Sequence, residues 1–316
     1  MTAPKEIAIL SVPFDLGAGR QGASGGPAAV WNAGLESRLR ALGIAFENAG
    51  IVRADVPDST DSTDSTDETG STNEAIPSSP KLKHLAEVVA VNESLAARVS
   101  RVVEAGRFPL VIGGDHSIAI GSIAGIAPHY RNLGVIWIDA HSDLNTPEST
   151  ESGNIHGMSL RVSLGEGDER LTRIGGEAAK IKPENVVLIG ARSLDPGEKA
   201  YIKSRNITCF TMHDVDRRGM SQVIEEAIRI AGAGTDGVHL SFDIDSVDPG
   251  VAPGTGTPVQ GGLSYREAHL ALEMLNESGI VTSAEFVELS PALDAGSKTT
   301  ELTLELIGSL LGERIL

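Results

Sequence analysis

Three short segments of the sequence combine aspartate and histidine at a spacing that suits metal binding. They are Gly-Gly-Asp-His-Ser at residues 113–117, Asp-Ala-His-Ser-Asp at 139–143 and Ser-Phe-Asp-Ile-Asp-Ser-Val-Asp-Pro at 241–249. Within the second and third segments the candidate ligands stand two residues apart, and alternate residues of an extended chain point to the same side. Each of these segments can therefore direct two or three ligands toward one point.

The residue types indicate a divalent cation, because carboxylates together with neutral imidazoles suit Mn²⁺ and related ions. Two histidines and four aspartates exceed what one ion needs. The sequence therefore predicts a binuclear site, in which the ions lie roughly 3.5–4 Å apart and share a bridging hydroxide. A single Asp or His could instead cap a helix or satisfy a loop. Three such clusters, each directly following an apolar run, fit metal binding better, since buried carboxylates without a cation would repel one another.

A sheet is needed to bring these segments together. Short apolar runs bounded by Gly, Pro or Asp predict buried strands at residues 7–12, 109–112, 134–138, 186–189, 207–212, 237–242 and 284–289. Helical patterns cover residues 85–104, 221–231 and 265–278, with Ser221 and Ser264 as expected N-caps. This alternation predicts an α/β domain with a mostly parallel sheet, in which ligands bind outside the carboxyl ends of the strands.

Composition narrows the class of protein. The 316 residues suffice for one large α/β domain or two small ones. The net charge of −17 argues against nucleic-acid and anionic-membrane partners, which require a basic surface. It favours cationic ligands, although a simply solvated acidic surface would explain it as well. No apolar run reaches about 18 residues, so no transmembrane helix is expected, and the first residues lack a signal-peptide pattern.

The one cysteine, Cys209, cannot form an internal disulfide, which favours a reducing cytoplasm. Its apolar neighbours predict a buried side chain in a strand rather than a catalytic thiol.

An acidic segment rich in Asp, Ser and Thr interrupts the α/β pattern at residues 55–80. It cannot bury enough apolar surface to offset the entropy of ordering, which predicts a mobile loop. A calcium-binding repeat is the alternative, but the carboxylates lack the spacing around a glycine turn that calcium loops have.

The three motifs, in this order and spacing, resemble those of the ureohydrolases, and within that family the sequence is similar to the arginases, in particular bacterial ones. The likeness extends from residues 17–22 to residues 287–291 and leaves out the acidic segment. It implies a single domain over residues 1–316, with an eight-stranded, mostly parallel sheet between two layers of helices, and two Mn²⁺ per subunit. The implied metal ligands are His116, Asp139, His141, Asp143, Asp243 and Asp245. In the family, one ion is held by His116 with Asp139, Asp143 and Asp243, and the other by His141 with Asp139, Asp243 and Asp245.

The segment that follows the second motif resembles the substrate loop of arginases. The resemblance implies that Asn145, Ser152 and Asn154 bind the α-carboxylate of L-arginine. It also implies that Asp195 and Glu198 hold the α-ammonium group. Such polar and acidic groups match the two ends of a zwitterion, although ordinary turn chemistry would also explain the Ser and Asn of this loop.

The implied reaction is hydrolysis of L-arginine to L-ornithine and urea, by attack of a metal-bridging hydroxide on the guanidinium carbon. Asp143 would orient the hydroxide, and Glu288 would pair with the guanidinium group. His156 would carry a proton to the departing amine. A surface salt bridge is the alternative role for Glu288. Ser159 stands where many arginases carry proline, which concerns the stiffness of the loop rather than the ligands.

Three other functions fit parts of the pattern. An agmatinase or guanidino-acid hydrolase would share the metal site, but agmatine has no carboxylate for the substrate loop to bind. Deacetylases of the same fold use one Zn²⁺ and lack the doubled ligand set. The intact ligand set argues against a catalytically inactive relative. The resemblance also implies a homotrimer or homohexamer.

Overall fold

The central element of the fold is a parallel sheet of eight strands, seen in a computed structural model that describes residues 6–54 and 82–314. The strands are β1 (Ile7–Ser11), β2 (Phe46–Ile51), β3 (Phe108–Ile112), β4 (Leu133–Ile138), β5 (Val186–Ala191), β6 (Thr208–Thr211), β7 (Gly237–Asp243) and β8 (Val281–Val287). Their order across the sheet is β2-β1-β3-β8-β7-β4-β5-β6, and every neighbouring pair is parallel. The expected eight-stranded α/β fold is confirmed. The acidic segment at residues 55–80, predicted to be a mobile loop, lies outside the described residues.

Helices cover both faces of this sheet. They are α1 (Gly26–Asn32), α2 (Leu35–Ala41), α3 (Leu85–Glu104), α4 (Ala119–Ile126), α5 (Ser159–Ser163), α6 (Glu169–Thr172), α7 (Pro196–Arg205), α8 (Met212–Arg218), α9 (Met220–Ala231), α10 (Tyr265–Ser278) and α11 (Lys298–Leu310). Within the described ranges, no helix has the length and apolar character needed to cross a membrane.

Alternate residues of most strands supply two separate hydrophobic cores. In β1, for example, Ile7 and Ile9 pack into the core under helices α1, α2 and α8–α11. Ala8 and Leu10 pack into the core under helices α3–α7. This period of two places one core on each side of the sheet and accounts for the three layers.

The strands and helices agree closely with the sequence pattern. All seven predicted strands are present, and α3 and α10 have the predicted bounds. Helix α9 begins one residue early and takes Gly219 as its N-cap, so the expected cap at Ser221 is wrong. Cys209 lies half-buried in β6, where burial raises the pKa of its thiol to about 12, which agrees with a structural rather than a catalytic role.

The N-cap of α10 forms as predicted. The Ser264 hydroxyl accepts a hydrogen bond from the Glu267 backbone N–H at 3.3 Å, and the Glu267 carboxylate accepts one from the Ser264 N–H at 2.8 Å. We expect Ser264→Ala to lower the free energy of unfolding by about 1 kcal/mol, because one N–H of the first turn loses its acceptor. Urea denaturation followed by circular dichroism measures this loss. Ser221→Ala is the matched control, because its side chain caps no helix; equal losses in the two variants would contradict the assignment.

The four central strands, β3, β8, β7 and β4, are adjacent in the sheet. Their carboxyl ends carry the candidate residues. His116 and Glu288 follow β3 and β8, Asp139 follows β4, and Asp243 is the last residue of β7. Because carboxyl ends of parallel strands meet at one edge, this order alone brings the three motifs and Glu288 together.

Candidate metal centre

The first histidine of the motifs lies among three carboxylates. His116 follows β3 in a short 3₁₀ turn, and its side chain is buried. Its Nδ1 atom lies 3.2 Å from Asp139 Oδ2, 3.1 Å from Asp143 Oδ2 and 3.0 Å from Asp243 Oδ2. These four residues come from three strand ends and surround one point.

The second histidine forms a neighbouring group. His141 Nδ1 lies 3.4 Å from Asp139 Oδ1 and 3.1 Å from Asp245 Oδ2. Asp139 therefore turns one oxygen to each histidine. Ligand atoms lie within 4.8 Å of one another both in the group of His116, Asp139 and Asp243 and in the group of Asp139, His141 and Asp245. The result is two overlapping groups that share one carboxylate.

The donor atoms fit a pair of divalent cations. His116 Nδ1 is buried and has no hydrogen-bond partner among the described residues, although three carboxylates lie within ion-pair distance. Burial and the neighbouring Asp139 carboxylate raise the pKa of Asp143 to about 7. Burial and the charges of Asp245 and Asp139 raise the pKa of Asp243 well above its ordinary value. A cation at this point would satisfy the imidazole nitrogen and remove the repulsion between the carboxylates, and this mixed donor set suits Mn²⁺.

Neighbouring side chains fix the orientation of the ligands. His116 Nε2 lies 2.8 Å from the Ser241 hydroxyl, and its ring stacks on Trp137 with ring centroids 4.1 Å apart. The Trp137 indole N–H also donates to Asp139 Oδ2 at 2.9 Å. Such partners hold the imidazole and carboxylate in one orientation before an ion binds. Sequence reasoning missed Trp137 because it reads as one more apolar residue of β4.

Two acidic residues of the centre have a left-handed backbone. The φ angle is 50° at Asp143 and 65° at Glu288, a region that non-glycine residues rarely adopt. Each is held there by a backbone hydrogen bond: Arg161 N–H donates to the Asp143 carbonyl, and Glu288 N–H donates to the Gly114 carbonyl. Strain of this kind is concentrated at functional sites, where the surrounding structure must impose it.

Glu288 is buried beside the centre, so the alternative role in a surface salt bridge is wrong. Its Oε1 atom accepts a hydrogen bond from the His116 backbone N–H at 2.9 Å and lies 3.0 Å from His156 Nδ1. Burial alone would lower the pKa of His156, but the Glu288 carboxylate outweighs it and raises that pKa to about 9. This ion pair favours the protonated form of the His156 ring. The Ser159 hydroxyl donates a hydrogen bond to the His156 carbonyl and so stabilises the segment that follows His156.

A cavity of about 190 Å³ opens onto this centre. The predicted site residues in its wall are His116, His141, Asp143, Asn145, Ser152, His156, Asp195, Glu198 and Asp243. Gly157, Ser193 and Thr257 also line it and were not predicted. Acidic residues and histidines make up most of the cavity wall. Among the described residues, no lysine or arginine lines the cavity, so the cavity suits cationic ligands.

Four predicted residues, within the described ranges, lie beside the cavity rather than in its wall: Asp139, Asp245, Asn154 and Glu288. The Asn154 side-chain oxygen accepts a hydrogen bond from Lys83 Nζ at 3.1 Å. The Asn145 side-chain N–H₂ donates to Asp195 Oδ2 at 2.9 Å, which joins the two loops predicted to bind opposite ends of a zwitterion. An amide N–H₂ has two hydrogens, so one remains for a ligand.

The Glu198 carboxylate links two segments beside the cavity. Its carboxylate accepts hydrogen bonds from the Ser142 hydroxyl at 2.8 Å and from the backbone N–H groups of Leu144 at 3.0 Å and Asp195 at 2.8 Å. The last of these belongs to the capping box of α7. Glu198 therefore ties the start of α7 to the second metal motif, a role that its place at position N3 of the helix could have indicated.

A three-layer α/β fold with two overlapping His–Asp groups at the carboxyl edge of its sheet defines a class of candidate binuclear metalloproteins. Comparison with known proteins identifies the family. The protein-family model described as "Arginase family" matches residues 5–312 of this sequence. Arginases of Bacillus subtilis and Bacillus caldovelox are each 53% identical over 312 residues, covering 99% of this chain and 99% and 100% of theirs. The crystal structure of the Bacillus subtilis arginase superposes with a TM-score of 0.88 at 51% identity, covering 99% of this chain and 100% of that one. The chain belongs to the arginase family.

Proposed function

We propose that this chain is a binuclear manganese hydrolase that converts L-arginine and water into L-ornithine and urea. The observation that carries the proposal is the Asp139 carboxylate, which turns one oxygen to each of two His–Asp groups beside an acidic cavity. The names of its relatives, which are arginases at 45–53% identity, support the same substrate. A homotrimer or homohexamer in the cytoplasm stays a prediction.

The two groups overlap at Asp139, and the resemblance to arginases adds Asp243 as a second shared carboxylate. His116, Asp139, Asp143 and Asp243 would hold one ion; His141, Asp139, Asp243 and Asp245 would hold the other. When bound, the two ions would supply a nucleophile at neutral pH by lowering the pKa of a shared water molecule.

The residues around this point then have distinct tasks. Asp143 lines the cavity with its carboxylate next to His116 and can accept a hydrogen bond from the attacking water. The Oε1 atom of Glu288 contacts the His116 backbone N–H and His156 Nδ1. Its Oε2 atom faces the loop at Gly256. That second oxygen can pair with a planar guanidinium group and place its carbon over the metal centre.

His156 is suited to donate the proton that the departing amine needs. It lines the cavity, its Nδ1 atom lies beside the Glu288 carboxylate, and this carboxylate raises the pKa of the imidazole, which favours its protonated form. A positioned imidazolium of this kind is an effective general acid.

Residues at the opening of the cavity would recognise the α-carboxylate and α-ammonium groups of the substrate. Asn145 and Ser152 can donate hydrogen bonds to a carboxylate. Asn154 lies beside Ser152, and its backbone N–H donates to the Ser152 hydroxyl at 3.2 Å. The exposed Asp195 carboxylate can bind the α-ammonium group. Since Glu198 is engaged with protein donors, its contribution is to hold Asp195 and the second motif in place.

The proposal is tested by urea release from L-arginine, agmatine and a guanidino acid, using the Mn²⁺-loaded protein. We expect arginine to be the preferred substrate, because only it offers both an α-carboxylate and an α-ammonium group. We expect Ser152→Ala to raise the KM for arginine about 10- to 100-fold, the effect of losing one hydrogen bond of roughly 1.5–3 kcal/mol to a charged group, and to leave the KM for agmatine unchanged. Equal turnover of arginine and agmatine by the unaltered protein would overturn the substrate assignment in favour of another ureohydrolase activity.

A further inference from the structure

The guanidinium group of Arg192 lies between three segments of the candidate metal centre. Arg192 directly follows β5 and is half-buried. Its Nε and Nη2 atoms donate to the Val259 carbonyl at 3.3 and 2.8 Å, and Nη2 also donates to the Asp245 carbonyl at 2.7 Å. Its Nη1 atom donates to the carbonyls of Ser246 at 3.0 Å and Gly190 at 3.3 Å. Five hydrogen bonds thus use the five N–H donors of the side chain on four backbone carbonyls.

Two of these carbonyls belong to the turn that presents the Asp245 ligand. The Asp245 carboxylate is fixed separately, with Oδ1 accepting from the Ala140 N–H at 3.2 Å and Oδ2 accepting from the Thr257 hydroxyl at 2.9 Å. Through Val259, Arg192 also holds the loop that carries Thr257. Arg192 therefore restrains both the backbone of Asp245 and the loop that orients its side chain.

The backbone of Arg192 is tied to the second metal motif. Its N–H donates to the Ala140 carbonyl at 2.9 Å, and Ala140 stands between the candidate ligands Asp139 and His141. Arg192 thus connects the end of β4 with the end of β7, the two segments that supply His141 and Asp245. Its hydrogen bonds reach neither His116 nor Asp143, within the residues that the structure describes.

The surrounding backbone is shaped for this side chain. A Cβ atom at Gly262 would lie 2.6 Å from Arg192 Nη2, so a larger residue there would displace the guanidinium group. A lysine could not replace the contacts, because its ammonium group is a single point of charge, whereas the planar fork of arginine reaches several carbonyls in fixed directions.

We infer that Arg192 is a positioning residue for the second ion of the proposed pair, the one held by His141, Asp139, Asp243 and Asp245. This inference deepens the proposed function and rests on it, since it presupposes two ions. Removing the hydrogen bonds should loosen the Asp245 turn while the His116 side of the centre keeps its own supports, Ser241 and Trp137.

The test is titration of metal-free protein with Mn²⁺, in which free Mn²⁺ is followed by electron paramagnetic resonance. We expect Arg192→Gln to bind the first ion as the unaltered protein does and to bind the second about 10- to 100-fold more weakly, the usual effect of losing a residue that orients a metal ligand. Arg192→Lys, which keeps the charge, should show the same selective loss. Arg98→Gln is the matched control, because Arg98 also donates to backbone carbonyls, at Ile51 and Ala49, on the far edge of the sheet.

The outcomes separate the inference from the proposed function. If the unaltered protein binds fewer than two Mn²⁺, the binuclear proposal itself is wrong. If it binds two and Arg192→Lys also binds two with unchanged affinity, the inference about Arg192 is overturned. Equal weakening of both ions in Arg192→Lys would overturn it too, since that would indicate general damage to the sheet edge. Should Arg192→Gln fail to fold, Arg192→Lys decides the question.

Discussion

Replacement of Asp139 by alanine is expected to abolish Mn²⁺ binding at both positions and to reduce arginine hydrolysis by at least ~10³-fold. The reason is geometric, since Asp139 is the carboxylate that faces both His116 and His141. Without the ions, none of the described residues that line the cavity can produce hydroxide at neutral pH, because metal coordination is what lowers the pKa of water into that range. Metal content after dialysis and urea release by the same preparation measure the two effects.

Asp245→Ala provides the internal comparison. Asp245 lies near His141 but belongs to only one of the two groups. We expect this variant to retain one ion, whereas Asp139→Ala retains none. Asp236→Ala, at the opposite end of β7 from the centre, should retain both. Two bound ions in Asp139→Ala would refute the shared-carboxylate arrangement.

Glu288→Gln is expected to keep both ions and to lower kcat/KM for arginine by about 10²- to 10³-fold. Glutamine preserves an acceptor for the His116 N–H, but it removes the negative charge that would face the guanidinium group. Breaking a buried charge pair by removing one partner costs roughly 3–5 kcal/mol, and each 1.4 kcal/mol corresponds to a factor of ten in rate. Steady-state kinetics on protein of verified metal content test this.

His156→Asn distinguishes charge pairing from proton transfer. It leaves the Glu288 carboxylate in place but removes the imidazole that lies 3.0 Å from it. We expect this variant to lower kcat while changing the KM for arginine little. A Glu288→Gln enzyme with kcat/KM within tenfold of the unaltered protein would mean that the guanidinium group binds elsewhere.

The fold was predictable from the sequence where burial controls the pattern. Six of the seven strands found from apolar runs have mainly buried residues, such as β4 and β5, in which every residue is buried. The exception is β6, in which only Phe210 is buried. Strand β2 escaped detection because it lies at the edge of the sheet, where Phe-Glu-Asn-Ala-Gly-Ile is only partly covered. The N-cap of α9 was predicted wrongly at Ser221 because a helix can also begin after a glycine, here Gly219, without a side-chain cap.

The candidate metal centre was predictable because its proposed ligands stand in contiguous motifs at strand ends. Its supports were not, because they come from residues distant in sequence and of ordinary type. Ser241 and Trp137 orient His116, and Thr257 and Arg192 fix Asp245. Nothing in the local pattern of any of them indicates that role; it arises only when the strands are placed side by side.

The strand order also determines when the centre can form. Strand β8, the last in sequence, lies between β3 and β7, so without it the sheet consists of two separate parts, β2-β1-β3 and β7-β4-β5-β6. His116 belongs to one part and Asp139 and Asp243 to the other, while Glu288, 172 residues after His116, arrives with the strand that joins them. A nascent chain therefore exposes two unpaired edges until residues 281–287 are synthesised, and such edges invite aggregation. We therefore expect the complete ligand set to form late in folding, once β8 has joined the two parts of the sheet.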